Sequence, residues 1–448
     1  MTVEMNVACA ICGDNHPFDM PPELLKAALS NDLVIFAGAG VSTESRRVFP
    51  DTLAERTAAE LGRAPKGGDA SFPQLMSEYE SKSGRTQLLL RIRERFDYMK
   101  GFPELLTIAT RFHSELATAF FLDTIVTTNW DTYFEEYAGA TPIVIPHDYA
   151  FWSLEGRKVF KLHGSMHNLS TLVITQRDYD RCYRRLQSGV IGSSLKHLLA
   201  TKRVVFIGYS FGDPDLDRIL RFMRQELRDV LPRSFVVTPH DFGGRDFPPE
   251  RVLRTDGTFF IQKLKDAAID LGLMRHDAIY SRAERLSQRV LRAQRRVTRT
   301  YSAKATPSVI HTLAYQDGLR DGLDRIVALR SSGHYSNPHS THGKLLAYER
   351  LIREARRTRH YFHAAYLEGY LNGLITLELG EKEVATLPLY FVWGSKLDLR
   401  TFEEFASELE RASNLHKGAA REAGRLARDL SDDLIVYHRP FLLSEASV

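Results

Sequence analysis

A pair of glycines follows a buried apolar run near the start of the chain. Leu33–Ala37 is apolar throughout, and Gly38, Gly40 and Ser42 come directly after it. A strand that ends in Gly-x-Gly lets the backbone turn tightly and approach a ligand, while the following amides favour an anion such as a pyrophosphate. Thr43 stands where a dinucleotide fingerprint has its third glycine, so these residues alone also fit a tight turn that binds nothing.

Three further stretches place polar or small residues directly after apolar runs. Asn129 and Asp131 follow one run, His163 follows a second, and Gly208 and Ser210 follow a third. The carboxyl ends of strands in an open parallel sheet are where ligands bind. We therefore expect these residues at one edge of a sheet.

Plainer roles remain open for several of these residues. A His-Gly pair at a strand end also fits a packed turn, and Asp131 also fits the N-cap of the following helix. We expect Asp213 and Asp215 to be capping and solvated residues at a helix that starts with Pro214, and Trp130 to belong to the core.

The elements that position these residues alternate along the first two-thirds of the chain. Amphipathic stretches separate most of the apolar runs, which predicts a parallel α/β sheet with helices on both faces. Residues 51–121 are almost free of strand signals and predict an inserted helical layer, and after about residue 264 the pattern becomes helical. The predicted strands are 33–37, 124–127, 158–162, 172–175, 203–207, 235–238 and 258–261.

Composition limits the class of protein. The chain has 448 residues with 43% hydrophobic and 26% charged residues, long enough for two or three domains. No apolar run approaches the roughly 20 residues of a membrane span, and residues 1–17 lack the pattern of a secretory signal. Three cysteines are too few for a disulfide framework, and a net charge of +4 does not by itself imply nucleic acid. We expect a soluble, cytoplasmic protein with no membrane partner.

Four motifs together resemble the sirtuin-like NAD-binding fold, a Rossmann-like parallel sheet. The resemblance covers roughly residues 30–265. Within the family, the motifs look most similar to those of the bacterial sirtuin-like proteins that degrade NAD in anti-phage defence. We expect an extension over residues 1–30, a catalytic domain over 31–275 and a helical domain over 276–448. The motifs, in order, are Gly-Ala-Gly-Val-Ser (38–42), Thr-Asn-Trp-Asp (128–131), Lys-Leu-His-Gly (161–164) and Gly-Tyr-Ser-Phe-Gly-Asp-Pro-Asp-Leu (208–216).

The resemblance also implies roles for individual residues. His163 would be the base for water or a ribose hydroxyl, Asn129 would position the ribose and the attacking water, and Asp131 would hold the carboxamide or steady the loop. The remaining residues would bind the rest of NAD. Gly38, Ala39, Gly40 and Ser42 would line the phosphates, Gly208 and Ser210 would contact the adenosine side, and Thr128 would also bind the dinucleotide.

Departures from the family separate the possible activities. Deacylases of this family carry two Cys-x-x-Cys pairs after the catalytic histidine, whereas only Cys182 follows His163 here. Residues 48–53 read Val-Phe-Pro-Asp-Thr-Leu and lack the Phe and Arg of the deacylase motif. We therefore expect NAD hydrolysis to nicotinamide and ADP-ribose, without a metal. The alternatives are a non-catalytic sensor of NAD or an ADP-ribose derivative and, with less support, a deacylase or an ADP-ribosyltransferase.

The N-terminal cysteines leave one metal hypothesis open. Cys9 and Cys12 with His16 have half-site spacing for zinc, but the sequence places no fourth ligand nearby. A reduced cysteine pair is the favoured interpretation.

An arginine stripe marks the predicted helical domain. A neighbouring face of the same helix carries Leu286, Val290, Ala293 and Val297. The stripe fits a solvated face, a protein contact or nucleic acid, and we favour the protein contact because interleaved aromatic residues are missing. By resemblance, the protein would be an abortive-infection effector that assembly or a partner, such as an ATPase or a sensor, switches on. We expect a homo-oligomer whose helical domain, residues 276–448, mediates oligomerisation or binds a partner. The stripe consists of Arg285, Arg289, Arg292, Arg296 and Arg299.

Overall fold

The apolar runs in the first two-thirds of the chain pair into one parallel sheet. The computed structural model describes residues 16–45, 48–63, 71–240 and 247–429. The strand order is β3-β4-β2-β1-β5-β6-β7, so β1 lies at the centre between β2 and β5. The strands are β1 (Leu33–Ala37), β2 (Thr124–Thr127), β3 (Thr141–Ile143), β4 (Lys158–Lys161), β5 (Arg203–Ile207), β6 (Phe235–Thr238) and β7 (Val252–Arg254).

Helices pack around this sheet, as the alternating pattern predicts. The predicted helical layer over 51–121 is confirmed as α2, α3 and α4, and α3 is broken at Gly84, whose φ is +83°. The helices of this part are α1 (Pro22–Leu29), α2 (Leu53–Glu60), α3 (Phe72–Lys100), α4 (Pro103–Ala117), α5 (Tyr133–Ala138), α6 (Gln176–Ser188), α7 (Val190–Thr201), α8 (Pro214–Leu227) and α9 (Gly257–Asp270).

Two predicted strands are wrong. Residues 172–174 are buried but extended outside the sheet, and only the Val173 amide bonds to the strand-end loop, at the His163 carbonyl. Residues 258–261 form the first turn of α9, because the Asp256 side chain accepts from the Thr258 amide at 2.8 Å and caps a helix there. An apolar run of four residues does not distinguish a strand from one face of a buried helix.

Two short strands escaped prediction, and one predicted strand is shorter than expected. β3 and β7 have three residues each, and β3 contains Pro142, which is tolerated because β3 lies at the edge of the sheet. β4 ends at Lys161, one residue before the predicted end.

The described residues form two compact units. One contains the described chain up to Gly272 with Ser331–Gly333, and the other contains Leu273–Arg330 and the described chain from His334 onward. The second unit is helical, as predicted. Its helices are α10 (Ala278–Thr300), α11 (Val309–Ala328), α12 (His342–Arg357), α13 (Tyr361–Ile375), α14 (Glu381–Ala385), α15 (Phe402–Leu415) and α16 (Lys417–Asp429).

Glycines let α11 and α13 pack backbone to backbone. A Cβ at Gly318 would overlap the Tyr366 carbonyl, and a Cβ at Gly322 would lie 2.7 Å from the Tyr370 carbonyl. On the facing helix, a Cβ at Gly369 would overlap the Tyr315 carbonyl. The close approach therefore depends on these side chains being absent.

The arginine stripe lies on α10 as predicted, beside a buried apolar face. Leu286, Val290, Ala293 and Val297 are all buried. The stripe is not simply a free basic surface, because Arg285 Nη2 lies 3.5 Å from Glu381 and Arg296 Nη2 lies 2.9 Å from Glu403. Arg292 and Arg299 are exposed.

Across the described ranges, none of the helices combines the length and the apolar character needed to cross a bilayer.

Candidate functional site

Two loops meet at the point where the strand order of the sheet reverses. The Gly38 amide donates to the Ile207 carbonyl at 2.9 Å, and the Gly40 amide donates to the Gly208 carbonyl at 3.0 Å. Gly208 has a φ of +61°, and a Cβ there would lie 2.6 Å from the Val41 nitrogen. Glycine is required because the two backbones touch. Such a crevice between β1 and β5 is where open α/β sheets bind ligands.

Two cavities share the wall formed by this contact. The larger, of about 590 Å³, is here called the reactive lobe and is lined by Asn129 and His163 among other residues. The smaller, of about 370 Å³, is called the distal lobe and is lined by Thr238 and Asp256 among others. Residues common to both linings are Gly40, Glu44, Gly208, Tyr209 and Ser210.

The predicted site residues divide into those that line the reactive lobe and those that lie behind it. The lining residues are Ala39, Gly40, Thr128, Asn129, His163, Gly208 and Ser210. Gly38, Ser42 and Asp131 line neither lobe. Trp130, expected in the core, is half-buried, packs 6.2 Å from Phe72 between ring centroids and also lines the reactive lobe.

Asn129 is held in place by its backbone and its amide nitrogen. Its N–H donates to Thr127 Oγ1 at 3.0 Å, and its Nδ2 donates to the Gly38 carbonyl at 3.1 Å and to Ser42 Oγ at 3.4 Å. Asn129 is 4% exposed, and within the described chain its Oδ1 accepts no hydrogen bond. A buried acceptor without a partner is costly unless a ligand or water satisfies it. The Asn129 Oδ1 is therefore available to a ligand hydroxyl.

Ser42 and Asp131 support Asn129 from behind. The Ser42 hydroxyl donates to Asp131 Oδ2 at 2.9 Å, and Asp131 Oδ1 accepts from the Tyr133 amide at 3.2 Å. The second bond satisfies the first amide of α5, but the N-cap of that helix is Thr132, so the expectation of Asp131 as the N-cap is wrong. Asp131 thus stands where it steadies the loop rather than where it faces the lobe.

His163 is buried and paired with a carboxylate. Its Nε2 lies 3.1 Å from Asp213 Oδ2, and its ring contacts Tyr179 at 5.0 Å between centroids. Burial disfavours the charged ring, but the attraction of Asp213 outweighs it, and the pKa of His163 rises to about 10. His163 in this arrangement is an imidazolium at neutral pH and donates to Asp213, so it does not accept a proton there.

Asp213 corrects the expectation of a solvated residue. Its side chain is only 8% exposed, and its Oδ2 lies 3.1 Å from His163 Nε2. The capping part of the expectation holds, since Asp213 Oδ1 accepts from the Leu216 amide at 3.2 Å and α8 begins at Pro214. The side chain of Asp215 lies outside the described part of the chain. Asp213 follows β5, so the strand-end rule could have placed it near His163.

Glu44 and Arg95 form a wall that the sequence did not indicate. Arg95 Nη2 lies 3.1 Å from Glu44 Oε1, and the Arg95 guanidinium stacks 3.9 Å from the Phe49 ring centroid. Burial raises the pKa of Glu44, although Arg95 opposes the shift. The pair joins α3 to the loop after β1, so it depends on tertiary packing.

The distal lobe contains a second ion pair with a free donor. Arg111 Nη2 donates to Asp256 Oδ2 at 2.6 Å, and both side chains are 11% exposed. Arg111 Nη1 is buried without a hydrogen-bond partner in the described ranges. That N–H group is available to an acceptor in the lobe.

Metal ligands are not gathered near either lobe. In the described ranges, no group of three or more His, Cys, Asp or Glu side chains is placed to hold a metal ion. Cys9 and Cys12, which carried the zinc hypothesis with His16, lie outside the described residues.

Comparison with known proteins shows which proteins this α/β region resembles. Residues 123–261 match the SIR2-like domain family. The chain is 31% identical over 208 residues to the "NAD(+) hydrolase ThsA" of Cytobacillus dafuensis, covering 45% of this chain and 40% of the relative. It is 31% identical over 211 residues to the "NAD(+) hydrolase ThsA" of Enterococcus faecium, covering 46% and 42%. It is 22% identical over 237 residues to the "Defense-associated sirtuin 2" of Bacillus subtilis, covering 50% and 22%.

The aligned part therefore spans less than half the length of these curated relatives. The segment that matches the family includes Asn129, His163 and Asp213, whereas the Gly38–Gly40 turn lies before it in the chain. The predicted resemblance to sirtuin-like proteins is confirmed over residues 123–261, which match the SIR2-like domain family.

Proposed function

We propose that the chain is an NAD⁺ glycohydrolase that cleaves NAD⁺ to nicotinamide and ADP-ribose. The observation that carries the proposal is the free, buried Asn129 Oδ1 beside His163 in the reactive lobe, next to a second lobe across the Gly40–Gly208 contact. Two adjoining lobes match the two halves of a dinucleotide. The relatives named NAD(+) hydrolase support the same substrate.

The chemistry needs orientation more than acid catalysis. The bond between ribose C1′ and the nicotinamide nitrogen breaks, and both bonding electrons leave with nicotinamide, which loses its positive charge. The oxygen of water forms the new bond to C1′, and a proton from that water is released to a base. The transition state resembles an oxocarbenium ion, as in other glycoside cleavage.

Different residues at the reactive lobe bind the sugar, accept the proton and approach the pyrophosphate. Asn129 Oδ1 accepts from a ribose hydroxyl and fixes the sugar. His163 takes the proton in the form that is not paired with Asp213. The backbone at Gly40 and Gly208 lets the pyrophosphate approach the turn after β1.

Water is the proposed second substrate because features of the deacylases are missing. The chain has no pair of Cys-x-x-Cys motifs after His163, and the stretch after the glycine turn lacks the deacylase Phe and Arg. Nicotinamide and ADP-ribose should therefore form in equal amounts without an acyl-lysine peptide.

A sensor that binds NAD or an ADP-ribose derivative without cleaving it is the second candidate. The His163–Asp213 pair favours this alternative, because an imidazolium cannot accept a proton. Chromatography of NAD⁺ incubated with the full chain separates the two candidates. A hydrolase releases nicotinamide, and a sensor leaves NAD⁺ intact while binding it.

We further propose that the protein is a defence effector and that its helical domain, residues 276–448, mediates assembly or binds a partner. The name of the Bacillus subtilis relative supports the defence role. Exposed Arg292 and Arg299 on α10 offer a basic contact surface. Charge reversal of both residues in the full chain should reduce the assembled mass in mass photometry. An unchanged mass in the presence and absence of NAD⁺ would contradict this use of the stripe.

A further inference from the structure

The atom of His163 that reaches Asp213 is the distal ring nitrogen. Nε2 lies 3.1 Å from Asp213 Oδ2, and both side chains line the reactive lobe. An aspartate that orients a catalytic histidine from behind leaves one ring nitrogen for the substrate. Here the nitrogen that points away from the backbone is already engaged within the lobe.

The other described groups around the His163 ring are not carboxylates. Cys182 contributes a hydrogen bond to His163, Tyr179 packs on the ring, and Arg185 Nη2 approaches the Cys182 sulfur at 3.7 Å. Tyr179, Cys182 and Arg185 all belong to α6. Among the described residues, the carboxylate that pairs with His163 therefore comes from the loop after β5.

Asp213 is fixed from both sides. Its Oδ1 caps α8 through the Leu216 amide. Two residues earlier, Phe211 has a φ of +56°, and its ring packs 5.0 Å from Phe206 and 5.3 Å from Phe247 between centroids. A non-glycine residue in this region is strained and persists only when its surroundings hold it. The carboxylate therefore stays in the lobe, and a ligand hydroxyl must compete with it for His163.

We propose that Asp213 is a positioning residue that holds His163 by its distal nitrogen and thereby restrains NAD⁺ cleavage near neutral pH. The proposal deepens the proposed function and rests on it for the kinetic part. Ligand binding or a rise in pH breaks the pair and frees His163 to take the proton.

The size of the restraint follows from the charge of the ring. With the pKa of His163 raised to about 10, most rings are charged at pH 7, whereas most rings are neutral at the ordinary value. Activity of the unmodified chain should accordingly rise steadily from pH 7 towards pH 10.

The variant that tests the restraint is Asp213→Asn, because asparagine keeps the helix cap and removes the charge. Asp217→Asn on the same helix is the matched control, since that side chain is 44% exposed and pairs with Arg221. We expect Asp213→Asn to move the rising limb of the kcat profile down by about two units or more and to raise kcat at pH 7 by about tenfold or more. Asp217→Asn should follow the unmodified profile.

A titration of the His163 C2 proton by NMR, assigned with His163→Gln, tests the pair without any reaction. We expect a high midpoint in the unmodified chain and one near the ordinary histidine value in Asp213→Asn. If the His163 midpoints differ between the unmodified chain and Asp213→Asn but neither cleaves NAD⁺, the proposed function is overturned while the pairing of His163 with Asp213 stands. Equal midpoints would overturn the inference, as would a fall of kcat at every pH in folded Asp213→Asn. Asp213→Ser, which also caps helices, replaces Asp213→Asn if that variant does not fold.

Discussion

The Ser42 hydroxyl donates to Asp131 Oδ2 at 2.9 Å, which joins two loops whose residues are 89 positions apart in the chain. Ser42 Oγ also accepts from Asn129 Nδ2. The glycine turn after β1 and the loop after β2 therefore orient Asn129 together. We therefore propose that Asp131 acts on the reactive lobe through Ser42 and Asn129 rather than by touching a ligand.

Removing the Asp131 carboxylate should therefore impair catalysis from a distance. We expect Asp131→Ala to lower kcat by about tenfold or more with a smaller change in KM, because a misplaced Asn129 orients the ribose poorly. Asp131→Asn keeps one oxygen that can accept from either Ser42 or the Tyr133 amide, so it should retain more activity than Asp131→Ala. Kinetics of Ser42→Ala, Asp131→Ala and the double variant provide the measurement. Fully additive effects would show that the two residues do not act as a unit.

Arg111 should contribute to binding in the distal lobe. Its free Nη1 group can donate to the adenosine half of NAD⁺, so Arg111→Gln should raise KM by about tenfold and leave kcat nearly unchanged. Arg221→Gln on the exposed part of α8 provides the control for loss of one positive charge. Steady-state kinetics below the unfolding temperature distinguish the outcomes. A fall in kcat at constant KM would contradict a role of Arg111 in binding the adenosine half.

The contact between α11 and α13 should be intolerant of even one methyl group. Gly318→Ala introduces a Cβ that overlaps the Tyr366 carbonyl, so we expect a loss of about 1–3 kcal/mol in the free energy of unfolding. Gly424→Ala on α16 is the matched control, because a Cβ there meets nothing within 4 Å. That change should be neutral or stabilising by about 0.5–1 kcal/mol. Denaturant unfolding of both variants measures the difference. Equal stability of Gly318→Ala and Gly424→Ala would rule out tight packing at Gly318.

His113 should make the fold sensitive to acid. It is fully buried beside Phe134 with both ring nitrogens unpaired in the described ranges, and burial lowers its pKa to about 4. The folded chain resists protonation that the unfolded chain accepts near pH 6.5, so the free energy of unfolding falls as pH drops from about 6.5 towards 4.

The His113→Leu variant removes this contribution. We expect the stability of the unmodified chain relative to His113→Leu to decrease over that range of pH and to stay level above it. Urea unfolding at a series of pH values measures the difference. A difference that does not change with pH would contradict the buried, neutral state of His113.

The sequence predicts the centre of the sheet better than its edges. β1 is apolar throughout, and β2 and β5 each contain a buried apolar stretch (125–126 and 204–207), which is typical of central parallel strands. β3 and β7 have three residues each, too few for a periodic signal. The run at 258–261 became helical because Asp256 caps a helix there, a contact that the apolar pattern does not contain.

The candidate site divides in the same way. Asn129 and His163 follow central strands, so position in the sequence was enough to place both at the lobe. Glu44 and Arg111 depend on partners 51 and 145 residues away, and tertiary packing creates those pairs. Asp213 follows β5, so its place near His163 could have been expected from the sequence, whereas its ion pair with the histidine is visible only in the folded chain.

In the proposed function, Asn129 and His163 together cleave NAD⁺ in the reactive lobe. The most direct measurement is the amount of nicotinamide and ADP-ribose formed from NAD⁺ by the full chain at pH 7 and pH 9.5, corrected for NAD⁺ decay without protein. Asn129→Ala and His163→Ala are measured in parallel. The proposed function predicts equal amounts of nicotinamide and ADP-ribose, larger amounts of both at pH 9.5 than at pH 7, and loss of both products in each variant. Binding of NAD⁺ without release of nicotinamide at either pH, or undiminished release by the variants, would contradict it.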